Sequence, residues 1–138
     1  LTPVKIWRED DGIIYDFGQN ISGYCRVKVK GKSGQKITLY HTEAITADNK
    51  PDDRNASTYH YPDCEKIQFD EIICSGKEFT WSPLFTYHGF RYVEVSGIEN
   101  ADEITTEEAA ILIEAVNEKL ASEIRRLFVG VAYRHCLI

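Results

Sequence analysis

Three groups of residues in this chain have side chains suited to chemistry. Asp16, Gln19 and Asn20 fall within the run DFGQNISG, where a carboxylate and two amides match vicinal hydroxyls as both acceptors and donors. The same residues also suit a tight turn, in which Asx side chains bond backbone amides, and that use has the greater weight. Trp81, Tyr87 and His88 form a second group, an aromatic platform for the apolar C–H face of a sugar ring. Core or interdomain packing with the polar tips bonded has the greater weight, with His88 a satisfied structural histidine. His41 and Glu43 share a face if their segment is a strand, but two ligands make a poor zinc or calcium site. Asp48, Asp52 and Asp53 lack the spacing and the glycine of an EF-hand loop. No metal and no cofactor is therefore expected. His88 lies beside Gly89 without a nucleophile to activate, and no pair of carboxyls stands out, so no catalytic residue is assigned.

The elements that must hold these residues read as strands. Residues 4–8 and 13–17 are β-prone runs around an Asp-Gly step, which signals an opening hairpin. In residues 24–30, Cys25, Val27 and Val29 alternate with Arg26, Lys28 and Lys30. That period of two assigns an inner and an outer face. A Gly-Lys-Ser-Gly turn follows, and residues 36–43 return with Ile37, Leu39 and His41 on one face. A second hairpin is the expectation there. Residues 44–62 are polar and read as a long surface excursion, of the kind that carries function or moves. Strand patterning resumes at 66–74, 79–81 and 85–95, the last reading FTYHGFRYVEV, with one face packed and one wet. About seven short strands with regular turns predict an all-β fold, an antiparallel sandwich or jelly roll.

Past Gly97 the pattern changes. Thr105 and Glu108 form a capping box, and Ala109, Leu112, Ile113, Val116, Leu120, Ile124 and Leu127 follow at helical spacing. A C-terminal amphipathic helix over about 106–128 is predicted, and a strand over 110–116 is its competitor. The apolar stripe of that helix packs on the sandwich or pairs with a second copy of the chain as a homodimer. Residues 1–100 are read as the sandwich domain and 101–138 as a tail.

Composition narrows the function classes. With 43% hydrophobic and 28% charged residues in 138, the chain can build one core, and global disorder is excluded. A net charge of -6 and a pI near 5.2 leave no basic face for phosphates, which argues against nucleic acid and anionic membrane surfaces as partners. No apolar run is long enough to span a bilayer. Cys25, Cys64, Cys74 and Cys136 include no CxxC pair, so a zinc site is disfavoured, and Cys25 and Cys74 read as small buried hydrophobes. Leu1 stands where a methionine would open a complete chain, so cytoplasm and secretion both stay open for a soluble protein.

DFGQNISGYCRVKVKG (16–31) and FTYHGFRYVEVSG (85–97) resemble the concanavalin-like β-sandwich domain of bacterial α-L-rhamnosidases, glycoside hydrolase family 78. Between them GQKITLYHTEAI (34–45) resembles that domain's strand ending in a His-x-Glu step. The likeness runs from about 4 to 98. It implies that the two signature stretches pair across the sandwich. It also implies a bacterial source and a parent that hydrolyses terminal α-L-rhamnose with inversion, using an acid and a base carboxyl. Those carboxyls belong to a large α/α barrel for which this chain has no room. The role implied here is a non-catalytic accessory or scaffold domain beside such a barrel. The alternative is a stand-alone carbohydrate-binding module that takes a rhamnose-containing glycan through the 44–62 loop and nearby aromatics. An active hydrolase is a third and weaker reading.

Overall fold

The computed structural model describes residues 1–10, 12–52, 54, 67–98 and 113–116, the last four by backbone alone. All regular structure within them is β. The chain opens with β1 (Lys5–Glu9) and β2 (Gly12–Val29), antiparallel, with Glu9 opposite Gly12. Asp10 begins the turn between them at φ 47, a left-handed conformation that aspartate tolerates better than most residues. The opening hairpin is the one expected from the sequence.

β2 is 18 residues long and serves two neighbourhoods. Its first part lies between β1 and β8 (His88–Ser96) in a sheet ordered β1-β2-β8-β3-β6, where β3 is Lys36–Thr42 and β6 is Phe69–Ile73. Its last part, Tyr24 to Val29, pairs instead with β7 (Phe79–Trp81) and β9 (Ile113–Val116), and Val27 stands opposite both Trp81 and Ile113. The change of neighbours follows a break in register. Asp16 pairs with Tyr92 and Ile21 with Phe90, so residues 17–20 face Arg91 alone. This is an extended bulge, the device that bends a strand away from its sheet.

The alternation predicted for 24–30 is seen directly. Cys25, Val27 and Val29 are fully buried, whereas Arg26, Lys28 and Lys30 are exposed. Ile37, Leu39 and His41 likewise point inward. These residues close on Phe90, Val93 and Val95 of β8 and on Ile72 and Cys74 to form one core. Phe90 holds its centre, edge-on to Phe17 at 5.8 Å between centroids and to His41 at 4.9 Å. Cys25 and Cys74 are free thiols in this core, as read from the sequence.

Several expectations are corrected. The second hairpin does not form, because β8 lies between β2 and β3, and the end of β2 has already left their sheet. The turn at 31–35 is tied to β6 instead: Gly34 N–H donates to Cys74 O at 2.9 Å and Cys74 N–H to Gln35 O at 2.8 Å. The two signature stretches are hydrogen-bonded neighbours, β2 against β8, and do not face each other across a sandwich. β8 has no wet face, since none of its nine residues is exposed; as a central strand it is covered on both sides. β3 stops at Thr42, so Glu43 does not continue the inward row of His41 and is exposed. Residues 113–116 form a strand where the helix was expected. Unpaired backbone groups along the second half of β2 provide its ladder, and β-branched Ile113 and Val116 suit strand geometry. The rest of the predicted helix lies outside the described residues, as do Cys64, Cys136 and residues 53 and 55–62 of the excursion. The described part of that excursion is a small hairpin, β4 (Ala44–Ile45) with β5 (Pro51–Asp52), whose Asn49 carbonyl accepts from the Trp7 indole at 3.3 Å.

Gly97 ends β8 at φ 81, and a Cβ there would meet Lys36 O at 2.2 Å, so only glycine fits this approach of β8 to β3. Removing the central ring should cost far more than removing a surface charge. Phe90→Ala is expected to lose about 3–5 kcal/mol in urea denaturation. Lys28→Ala, which breaks only the exposed 2.7 Å pair with Glu78, should change stability by less than about 1 kcal/mol. Equal costs would contradict this account of the core.

Candidate functional site

The residues singled out from the sequence occupy three places. At the bend of β2, the buried Asp16 carboxylate receives Arg91 Nε at 2.8 Å and Nη2 at 3.0 Å, and its Oδ1 also accepts Gly18 N–H at 2.7 Å. Gly18 takes φ 78, completing an Asx-type turn. The Arg91 hydrogen bonds, reinforced by the Gly18 amide, hold the Asp16 carboxyl below the usual carboxylate range despite its burial. Gln19 and Asn20 stand exposed on the bulge, and Asn20 Nδ2 donates to Glu43 Oε1 at 2.9 Å. A carboxylate engaged by a bidentate guanidinium and an amide has few lone pairs left for a sugar hydroxyl.

The second place is a surface groove of about 800 Å³ bordered by Phe69, Asp70, Trp81, Pro83, Leu84 and Phe85. Trp81 is half-buried and leans on the core, whereas Leu84 and Phe85 are 85% and 97% exposed. Tyr87 is also exposed, at 58%. Adjacent apolar side chains so fully in water mark an interaction surface.

The third place was missed in the sequence reading. His88 is buried, stacked on His41 with centroids 4.1 Å apart. Its Nδ1 is 3.0 Å from Gln68 Oε1 and its Nε2 is 3.2 Å from Asp70 Oδ2. His41 Nδ1 donates to the Gln68 main-chain carbonyl at 3.2 Å. Its Nε2 is buried with no hydrogen-bond partner, 3.9 Å from the same Asp70 oxygen. Burial first, and then neighbouring His88, lower the His41 pKa to about 4. His41 is therefore neutral near pH 7, and Asp70 joins this cluster to the groove.

The strand order and both signature stretches invite comparison with known proteins. A family model described as the bacterial alpha-L-rhamnosidase concanavalin-like domain matches residues 7–116. The chain belongs to this family. The match reaches past residue 98 to the end of β9, so the last described strand lies within it. An alpha-L-rhamnosidase of Formosa agariphila is 32% identical over 118 residues, covering 84% of this chain and 12% of that protein. One from an Alteromonas species is 37% identical over 100 residues, covering 72% and 10%. Among solved structures, the alpha-L-rhamnosidase of Dictyoglumus thermophilum superposes on this rhamnosidase-family domain with a TM-score of 0.68 at 33% identity, over 84% of this chain and 12% of that one. The domain thus spans about a tenth of the relatives it matches, the size of an accessory unit.

The Asp16–Arg91 pair generates a pH-dependent prediction. Because the folded pKa of Asp16 lies below the unfolded value, its contribution is complete above the unfolded value of about 3.9 and is lost as pH falls through the folded one. Asp16→Asn should therefore lower the urea midpoint at neutral pH, and the gap to wild type should close on acidification below about pH 4. A gap independent of pH would show that the Asp16 charge is not what holds the bend.

Proposed function

We propose that this domain is a non-catalytic structural unit of an alpha-L-rhamnosidase-like glycoside hydrolase, seated against a catalytic barrel that lies outside this chain. The observation that carries the reading is the apolar projection at Leu84 and Phe85, side by side and almost wholly exposed. A domain covering about a tenth of its relatives has a much larger body to pack against, and interdomain surfaces are where such side chains find cover. The carboxylates of the described cluster and bend fit this role. Asp16 is held by Arg91 and Asp70 by His88, which leaves neither placed as one of an acid and base pair flanking a glycosidic bond.

A second reading rests on the groove. Phe69, Trp81 and Phe85 offer ring faces, and Asp70 offers a carboxylate along the same depression, the combination that grips a sugar by stacking and by hydrogen bonds. The Streptomyces avermitilis alpha-L-rhamnosidase, 28% identical with a TM-score of 0.66, was solved with L-rhamnose. Rhamnose is accordingly the sugar to try. Pairing of two copies through the C-terminal segment is a further proposal, and sedimentation of the chain across concentrations tests it.

The pure chain should release no phenol from an aryl α-L-rhamnoside; turnover that copurifies with it would overturn the structural role. Titration with L-rhamnose separates the two readings, since saturable chemical-shift changes at Trp81 in the millimolar range or tighter favour the module. Leu84→Ser with Phe85→Ser should weaken retention on a phenyl column and leave the urea midpoint within about 0.5 kcal/mol of wild type. A large loss of stability would mean that these side chains pack within the domain.

A further inference from the structure

We propose that His41, Asp70 and His88 bind one divalent first-row transition-metal ion, of the zinc class, through the two histidine Nε2 atoms and the Asp70 carboxylate. The three side chains come from β3, β6 and β8, which are neighbours in the sheet, and their ligand atoms lie within 4.8 Å of one another.

The hydrogen-bond roles carry the argument. The Gln68 main-chain oxygen can only accept, so His41 Nδ1 bears its proton and the neutral ring presents a lone pair at Nε2. That lone pair is sealed in the core without a donor, and the nearest charged atom is Asp70 Oδ2 at 3.9 Å, another acceptor. The Gln68 side-chain oxygen faces His88 Nδ1 at 3.0 Å. In that arrangement His88 also donates from Nδ1 and turns an Nε2 lone pair toward the same Asp70 oxygen at 3.2 Å. Acceptors gathered within 4.8 Å of one another out of water are costly unless a positive centre lies among them.

A single proton does not serve all three. A proton on His88 Nε2 pairs His88 with Asp70 and leaves the buried His41 Nε2 unsatisfied. A divalent ion meets every acceptor at once. Gln68 then acts twice as the outer partner that metal-bound histidines require, its backbone oxygen holding His41 Nδ1–H and its side chain holding His88 Nδ1–H. Two imidazoles and one carboxylate suit zinc, cobalt, nickel or copper, and calcium and magnesium prefer oxygen sets. Three protein ligands leave a coordination position free, and Asp70 is also one of the residues lining the groove.

The ion would clip three strands of the sheet together. The test uses the whole chain, stripped by a chelator and titrated with Zn(II). One equivalent should shift the Nε2 resonances of both His41 and His88 in long-range ¹H–¹⁵N spectra and raise the thermal midpoint. Co(II) should give visible d–d bands without the near-ultraviolet thiolate band that binding at a cysteine would add. Gln68→Leu, which keeps the backbone carbonyl, should weaken Zn(II) binding by roughly 10–100-fold, and Asp70→Asn by at least as much. His60→Ala with His135→Ala, which removes the other two histidines, should leave the affinity unchanged. The proposal fails if wild-type Nε2 signals of His41 and His88 stay in place under saturating Zn(II), whether or not the ion binds elsewhere. It fails equally if the Gln68 and Asp70 variants bind Zn(II) as wild type does.

Discussion

The bend in β2 is the constraint on which the other strands depend. One continuous strand supplies ladder partners to β1 before the bend, to β8 on both sides of it, and to β7 and β9 after it. It can do so only if the chain turns between Asp16 and Ile21. Residues 17–20 provide the extra length, Gly18 the left-handed φ, and Asp16 the anchor that fixes where the turn begins. The Asp16–Arg91 pair is half-shielded, and a shielded ion pair contributes little net stability compared with an apolar pair of the same shape. Its value is positional. Arg91 is the one β8 residue opposite the bulge, so the guanidinium ties the bent segment to the strand that lost register with it.

The parts of this fold that could be read from the sequence are those decided by neighbours close in sequence. Cys25, Val27 and Val29 declared their face because Arg26, Lys28 and Lys30 between them have to reach water. The first hairpin was visible because its turn spans two residues. The second hairpin was not, because whether β3 meets β2 depends on β8, some fifty residues further on, taking the place between them. The strand at 113–116 was obscured for a related reason. Its residues fit helical spacing as well as β propensity, and only the open flank of β2 decides between the two.

The candidate site shows the same division. Asp16 in a turn was visible from the Asx-x-Gly spacing alone. His88 beside Gly89 suited a satisfied structural histidine, and it is buried and bonded, whereas Tyr87 beside it is exposed. One signal for the buried cluster was present: His41 shares its parity with Ile37 and Leu39, which marks it as inward. Its partners Gln68 and Asp70 lie beyond the 44–62 excursion, and no local pattern connects them to it. Glu43, the partner that spacing suggested, falls after the end of β3 and meets Asn20 instead.

The pairing of β2 with β8 also sets an order of events in time. Ile13 lies opposite Val95 and Gly12 opposite Ser96, so the longest strand cannot find its central partner until the chain has been made well past it, as far as β8. Until then β2 has only the β1 hairpin, and two-stranded ribbons are marginal in water. Contacts this distant in sequence place the domain among slow folders, with closure in milliseconds to seconds in place of microseconds. Through that interval the fully apolar inner row of β2 is exposed beside Arg26, Lys28 and Lys30. Charges of this kind, spaced along an apolar strand, are a device that discourages an unfinished strand from pairing with another chain.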